Sequence, residues 1–151
     1  FRFRQCRDAA HVDGIKAFGP DRHRRIGECH AYLLGLPLSA TGPGASPLVV
    51  WQGSHEVMRA GLLAGLRDRP REEWGRADIT EAYAAARREV FETCRRVVLH
   101  ARPGEAYLLH RLALHGVSPW DTGAVAPPEG RVIAYFRPDM GVSAADWLTR
   151  P

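Results

Sequence analysis

His11 and Asp13 stand two positions apart in "AAHVDGI", directly before Gly14. In extended backbone alternate side chains project to the same face, so the imidazole and the carboxylate share one side while Val12 points to the other. A shared face suits a shared cation. Two imidazoles and one carboxylate, with the remaining coordination positions open, form the ligand set of the non-haem iron(II) centres that activate oxygen. The second imidazole then has to come from a distant strand. "LALHG" offers His115 immediately before Gly116, where backbone can approach closely. His110, a little earlier in the same stretch, is its rival, and a buried polar network without metal is the plain alternative for the whole trio.

Arg131 opens the last strand-like run. A guanidinium directed into a closed sheet is costly unless a carboxylate pairs with it, best through two parallel hydrogen bonds. A dicarboxylate co-substrate could chelate a metal at one end and meet Arg131 at the other. Asp13 cancels only part of a divalent ion's charge, so such a site still attracts an anion. Arg137 shares the face of Arg131 by strand parity, and its place beside Pro138 assigns it to the rim. Arg111, next to His110, is a candidate substrate contact. His55 is expected to begin a helix, His30 and His100 to be core histidines, and His23 to be solvated.

The elements that must position these residues follow from periodicity. "FRFRQCR" alternates like a strand from Phe1 onward, which predicts chain upstream of it. "GPDRHRRIG" reads as a loop, "ECHAYLLGLPLS" as a buried, bent strand, "ATGPGASP" as a turn and "LVVWQG" as a strand. A helical insertion over about 54–94 follows. Ser54 is expected to cap a helix through "HEVMRAGLLAGL", weakened by Gly61 and Gly65. Asp78 and Glu81 resemble a capping box ahead of an apolar stripe at Ile79, Tyr83, Ala86, Val90, Cys94 and Val97. "RDRPREEWGR" between them is expected to be surface loop. Strands return in "RRVVLH", "AYLLH" and "RVIAYFRP", and "SAADWL" predicts one amphipathic turn. Strands at both ends that must meet across a helical insert imply a closed or double-sheet antiparallel architecture.

Composition narrows the function classes. The 151 residues suit one domain, residues 1–151, and 45% hydrophobic with 25% charged is ordinary for a globular fold. No apolar run is long enough to span a bilayer, so no membrane partner is expected. The formal charge of +4 is carried by arginine, Lys16 being the only lysine. The densest cluster, "DRHRR", lacks the interleaved aromatics of a base-stacking surface, and no nucleic-acid partner is expected. Cys6, Cys29 and Cys94 lack the close spacing of a zinc site or a disulfide framework, which points to reduced thiols and a cytoplasmic location.

Beyond the ligands, the chain resembles the phytanoyl-CoA dioxygenase family of iron(II)- and 2-oxoglutarate-dependent oxygenases over roughly residues 9 to 138. "SPLVVWQGSHE" is similar to the family's G-x-L-x-x-x-P-G-S-H segment, with Gln52 where proline is usual. "ARPGEAYLLHRLALHGVSPW" is similar to its G-D-x-x-x-F-H-x-x-x-x-H-G-x-x-x-N segment, in which the second histidine binds iron; this favours His115 over His110. "GRVIAYFRPD" is similar to the strand that carries the co-substrate arginine. The resemblance implies His11, Asp13 and His115 as iron ligands, Arg131 as partner of the distal carboxylate of 2-oxoglutarate, and a mainly β fold: a double-stranded β-helix, or cupin-like jelly roll, with a helical insertion. It further implies a dioxygenase that uses molecular oxygen to hydroxylate a small-molecule substrate, releasing succinate and carbon dioxide. A cupin-like metal-binding protein without oxygenase activity (isomerase, hydrolase or ligand-binding module) is the second expectation. Family members carry helices and strands before the HxD motif, so the resemblance implies a chain lacking the usual N-terminal part. Val117 stands where many members have serine.

Overall fold

The computed structural model describes residues 8–150. The strand expected in "FRFRQCR", with Cys6, lies outside the described residues. The fold is mostly β, with antiparallel sheets and three α-helices among the described residues. The order is β1 (Ile15–Phe18), β2 (His23–Ile26), β3 (Tyr32–Pro37), β4 (Leu48–Trp51), α1 (Ser54–Leu66), a 3-10 turn (Arg71–Glu73), α2 (Thr80–Thr93), β5 (Arg96–Leu99), β6 (Tyr107–His110), β7 (His115–Val117), β8 (Ile133–Phe136) and α3 (Ala144–Thr149). The helices α1 and α2 fill the insertion expected over 54–94. No helix among the described residues is long and apolar enough to cross a membrane.

Two three-stranded sheets form the body, in the orders β6-β3-β8 and β5-β4-β7. They face each other across a small core of Leu33, Tyr107 and Leu109 from the first sheet and Leu48 from the second. The alternation of β4 serves two cores. Leu48 and Val50 turn toward the opposing sheet, while Val49 and Trp51 pack with Met58, Leu62, Tyr83, Ala86 and Val90 of the helices. The central strand β4 is therefore covered on both sides, while Val98 on the neighbouring β5 stays half exposed. The three sheets do not close into a single barrel among the described residues.

Several local expectations need correction. The supposed loop "GPDRHRRIG" holds the turn and second strand of a β1-β2 hairpin. Its reversal uses Gly19 and Arg22 at φ 66 and 56, and β2 buries only Ile26, so no apolar alternation marks it. Ser54 does not cap α1. Gly53, in the left-handed region at φ 79, precedes the helix, and the buried Ser54 Oγ instead accepts from the Leu114 amide at 2.9 Å. Gly61 and Gly65 mark where α1 meets α2: a Cβ on either would lie 2.7 or 2.5 Å from the Cβ of Ala86 or Ala82. "RDRPREEWGR" is not all surface, because Trp74 is buried in the main core and its indole donates to the Arg69 carbonyl. The α2 stripe holds through Val90, but Val97 belongs to β5. The capping box of Asp78 with Glu81 does not form: Ile79 is the N-cap with no side-chain cap bond, and the Asp78 carboxylate instead accepts from the Thr80 amide at 2.9 Å and from its hydroxyl.

Candidate metal centre

His115 opens β7, opposite Val50 on β4, so its side chain shares the inner face with Val50 and enters the space between the two sheets. The segment before β1 lies along the other edge of β7. His11 and His115 exchange both backbone hydrogen bonds, at 2.8 and 3.1 Å, and Val117 donates to the Asp8 carbonyl. This approach requires Gly116, because a Cβ there would run into the Asp8 carbonyl oxygen and the Ala10 Cα. The chain then turns at Asp13 and Gly14. Gly14 is pressed between the Trp147 ring and the Glu28 carbonyl, where a side chain has no room. Trp147, fully buried on α3, donates from its indole to the His30 carbonyl at 2.8 Å and so holds the turn from beneath.

These constraints bring His11, Asp13 and His115 together, with one ligand atom of each within 4.8 Å of the others. The group could hold a metal ion. His11 Nε2 lies 3.1 Å from Asp13 Oδ1, and His115 Nε2 lies 3.7 Å from Asp13 Oδ2. Donors about 2.1 Å from a common ion at right angles to each other are separated by about 3 Å, so the spacing is close to that of a shared cation. Each histidine donates its Nδ1 proton to a backbone carbonyl two residues back, Ala9 at 2.8 Å and Ala113 at 2.9 Å. That bond sets the ring orientation and leaves Nε2 toward Asp13.

Electrostatics agree with this arrangement. Burial alone would raise the Asp13 carboxyl, but the His11 hydrogen bond and the charges of His115, His11 and Arg137 outweigh it and hold the group well below the usual carboxylate range. The hydrogen bond to Asp13 raises His11 against its own burial. Burial lowers His115. Two imidazoles of opposite tendency thus flank one firmly ionised carboxylate.

No family model, curated protein or solved structure matches this chain.

A cavity of about 170 Å³ opens on the trio between the sheets, lined also by Leu33, Tyr135 and Arg137. It is smaller than the pockets that take drug-sized ligands, and suits a compact molecule. Arg131 does not line it. That residue stands just before β8, with Nη2 buried and without a hydrogen-bond partner among the described residues. A buried guanidinium nitrogen with nothing to donate to is what a carboxylate would satisfy. Arg137, expected at the rim, is 39% exposed yet reaches Asp13 Oδ1 at 3.3 Å. The inward parity of Ile133 and Tyr135 was the signal for both arginines.

Other candidates fall elsewhere. His110 Nδ1 accepts from the Leu112 amide, and burial together with the charges of His55, Arg111 and Arg59 lowers it to about 4, so it is a neutral strand-end group outside the trio. Arg111 is not a substrate contact: it is buried and donates to the Trp147 and Arg150 carbonyls at the end of α3. His100 is exposed and hydrogen-bonds the Thr41 carbonyl. His55 sits in the first turn of α1, and His30 is buried against Trp147. Sequence inspection missed the clamp on Asp8, whose carboxylate takes two 2.7 Å bonds from Arg96 and one from Ser118.

Proposed function

We propose that this protein is an iron(II)- and 2-oxoglutarate-dependent oxygenase that hydroxylates a small organic substrate. One observation carries the assignment: His11 and Asp13 meet His115 across a β-bridge, with both rings locked by Nδ1 bonds and a single ionised carboxylate between them. The strand order supports it. From β3 onward the chain passes from one sheet to the other and back, giving β6-β3-β8 against β5-β4-β7 with the His11 segment on the β7 edge, the order a double-stranded β-helix takes. The likeness of the HxD, HG and arginine motifs to the phytanoyl-CoA dioxygenase family points the same way.

When bound, iron(II) with 2-oxoglutarate supplies the oxygen chemistry: one atom of O₂ leaves in succinate as carbon dioxide is released, and the other enters a substrate C–H bond as hydroxyl. The chain's own residues do the rest. His11, Asp13 and His115 would hold the metal through Nε2, carboxylate oxygen and Nε2. Arg131 takes the distal carboxylate on its unpartnered Nη2. Leu33 and Leu48 supply apolar wall to the inner cavity. Arg137 balances Asp13 until the cation arrives. A carboxylate ligand, rather than a small residue that leaves room for halide, favours hydroxylation.

A second assignment, a cupin-like metal-binding protein without oxygenase activity, draws on the position of Arg131 outside the cavity that Arg137 lines. Anaerobic titration separates the two. Iron(II) plus 2-oxoglutarate should give a weak visible charge-transfer band that Asp13→Ala abolishes. Metal uptake by the wild type with no such band would leave only the second assignment.

A further inference from the structure

We propose that the cavity on the outer side of His11 binds a small organic oxyanion with a flat apolar body, which, resting on the oxygenase assignment, is the substrate. His11 lines both this space, about 580 Å³, and the inner cavity, so an occupant of the outer one borders the metal-binding group. Its volume lies in the range of ordinary small-molecule sites. The remaining wall includes Asp8, Arg24, Trp51, Arg87 and Phe91.

The charge balance in this wall is one-sided. Asp8 is the only acid in it among the described residues, and Arg96 and Ser118 already hold that carboxylate. Arg87 spends one Nη2 bond on the neutral Ala10 carbonyl, at 2.9 Å, while its Nε is buried with no partner among the described residues. The backbone of Arg24 bonds Thr80 and Ile79, but its guanidinium has no hydrogen bond or ion pair among the described residues. Two cations facing a cavity with no free carboxylate among the described residues select for an anion, and planar guanidinium donors fit an oxyanion best.

The aromatic side sets the shape of the rest. Trp51 and Phe91 meet edge-on at 5.2 Å, with Trp51 buried and Phe91 46% exposed at the cavity wall. The Arg87 guanidinium lies 5.5 Å from the Phe91 ring, so the cation is held next to the exposed aromatic face. A flat apolar group covers Phe91 while its oxyanion reaches Arg87 and Arg24.

The test uses 3-phenylpropionate, its neutral amide and phenyl phosphate, titrated calorimetrically into the metal-free protein. The acid should bind about tenfold or more tighter than the amide, the loss expected when a charged hydrogen-bonded group is removed. Arg87→Met and Arg24→Met should each narrow that gap, and Phe91→Ala should weaken acid and amide alike. Tighter binding of phenyl phosphate than of the acid would assign the oxyanion as phosphate rather than carboxylate. Equal affinity of acid and amide for the wild type, or no binding of either anion, would overturn the proposal without reference to any variant. The oxygenase assignment fails separately, on the wild-type visible band with iron(II) and 2-oxoglutarate, which this metal-free titration does not involve.

Discussion

The two facing sheets are built from similar strands but supported differently. β5-β4-β7 is backed by α1 and α2, and Val49 at its centre is fully buried on the helix side. The β6-β3-β8 sheet turns Tyr32, Leu108 and Phe136 outward at 40%, 69% and 51% exposure. The two histidines of the group that could hold a metal belong to the braced sheet: His115 is on β7 and His11 is bridged to it. The arginines belong to the open one, before and after β8. A metal site needs donor positions fixed within a fraction of an ångström, whereas a carboxylate clamp on a long flexible side chain tolerates movement. Rigid backing is placed where the tolerance is smallest.

The sharpest way to break this contrast is to put one charge on each sheet. Val49→Asp should cost about 3–5 kcal/mol, because the carboxylate has no partner in the helix-side core. Leu108→Asp should stay within about 0.5 kcal/mol. Urea denaturation of the two variants decides it, and comparable losses would mean that the open face is covered in solution. Next in size is a division of ligand binding. His115→Ala should weaken iron(II) binding by more than about a hundredfold, beyond the loss typical of outer-shell changes. Arg131→Ala should leave iron(II) affinity unchanged and weaken 2-oxoglutarate about tenfold. Parallel losses in both titrations would erase the distinction between the sheets.

The smallest effect concerns the clamp at the edge of the braced sheet. The Arg96 hydrogen bonds lower the Asp8 carboxyl, against its partial burial. The folded chain therefore holds that proton less tightly than the unfolded chain, where the group titrates near 3.9. Its contribution is complete above that value and disappears as pH falls through the lower folded one. Wild type should exceed Asp8→Asn by about 1 kcal/mol at neutral pH, with the gap closing below about pH 4. Thermal melts across that range read it directly, and a gap that persists at pH 2 would point to packing instead.

Legibility in the sequence followed the range of the interaction. β4, β6 and α2 were readable because each carries its own apolar period within a few residues. His11 and Asp13 were readable as a close pair of ligand types, although only His11 lies in a β-bridge and Asp13 stands in the turn that follows. His115 over His110 was not a matter of periodicity, since both stand at strand ends; the HG motif favoured His115, and the physical cause is the backbone approach that Gly116 allows. The β1-β2 hairpin was hidden by a charged outer strand. Ser54 and Arg111 were misassigned because each serves a backbone group far along the chain: Leu114 for the serine, and Trp147 and Arg150 for the arginine. Arg137 was placed at the rim from its neighbouring proline, although its guanidinium reaches Asp13.

The indole that supports the Gly14 turn is 117 positions from the His30 carbonyl it bonds. During synthesis the pair of side chains at positions 11 and 13 thus leaves the ribosome long before its floor exists. A nascent chain halted ahead of α3 would carry all three candidate ligands and still lack a settled turn to present two of them. The geometry that could hold an ion is therefore complete only once α3 has been made.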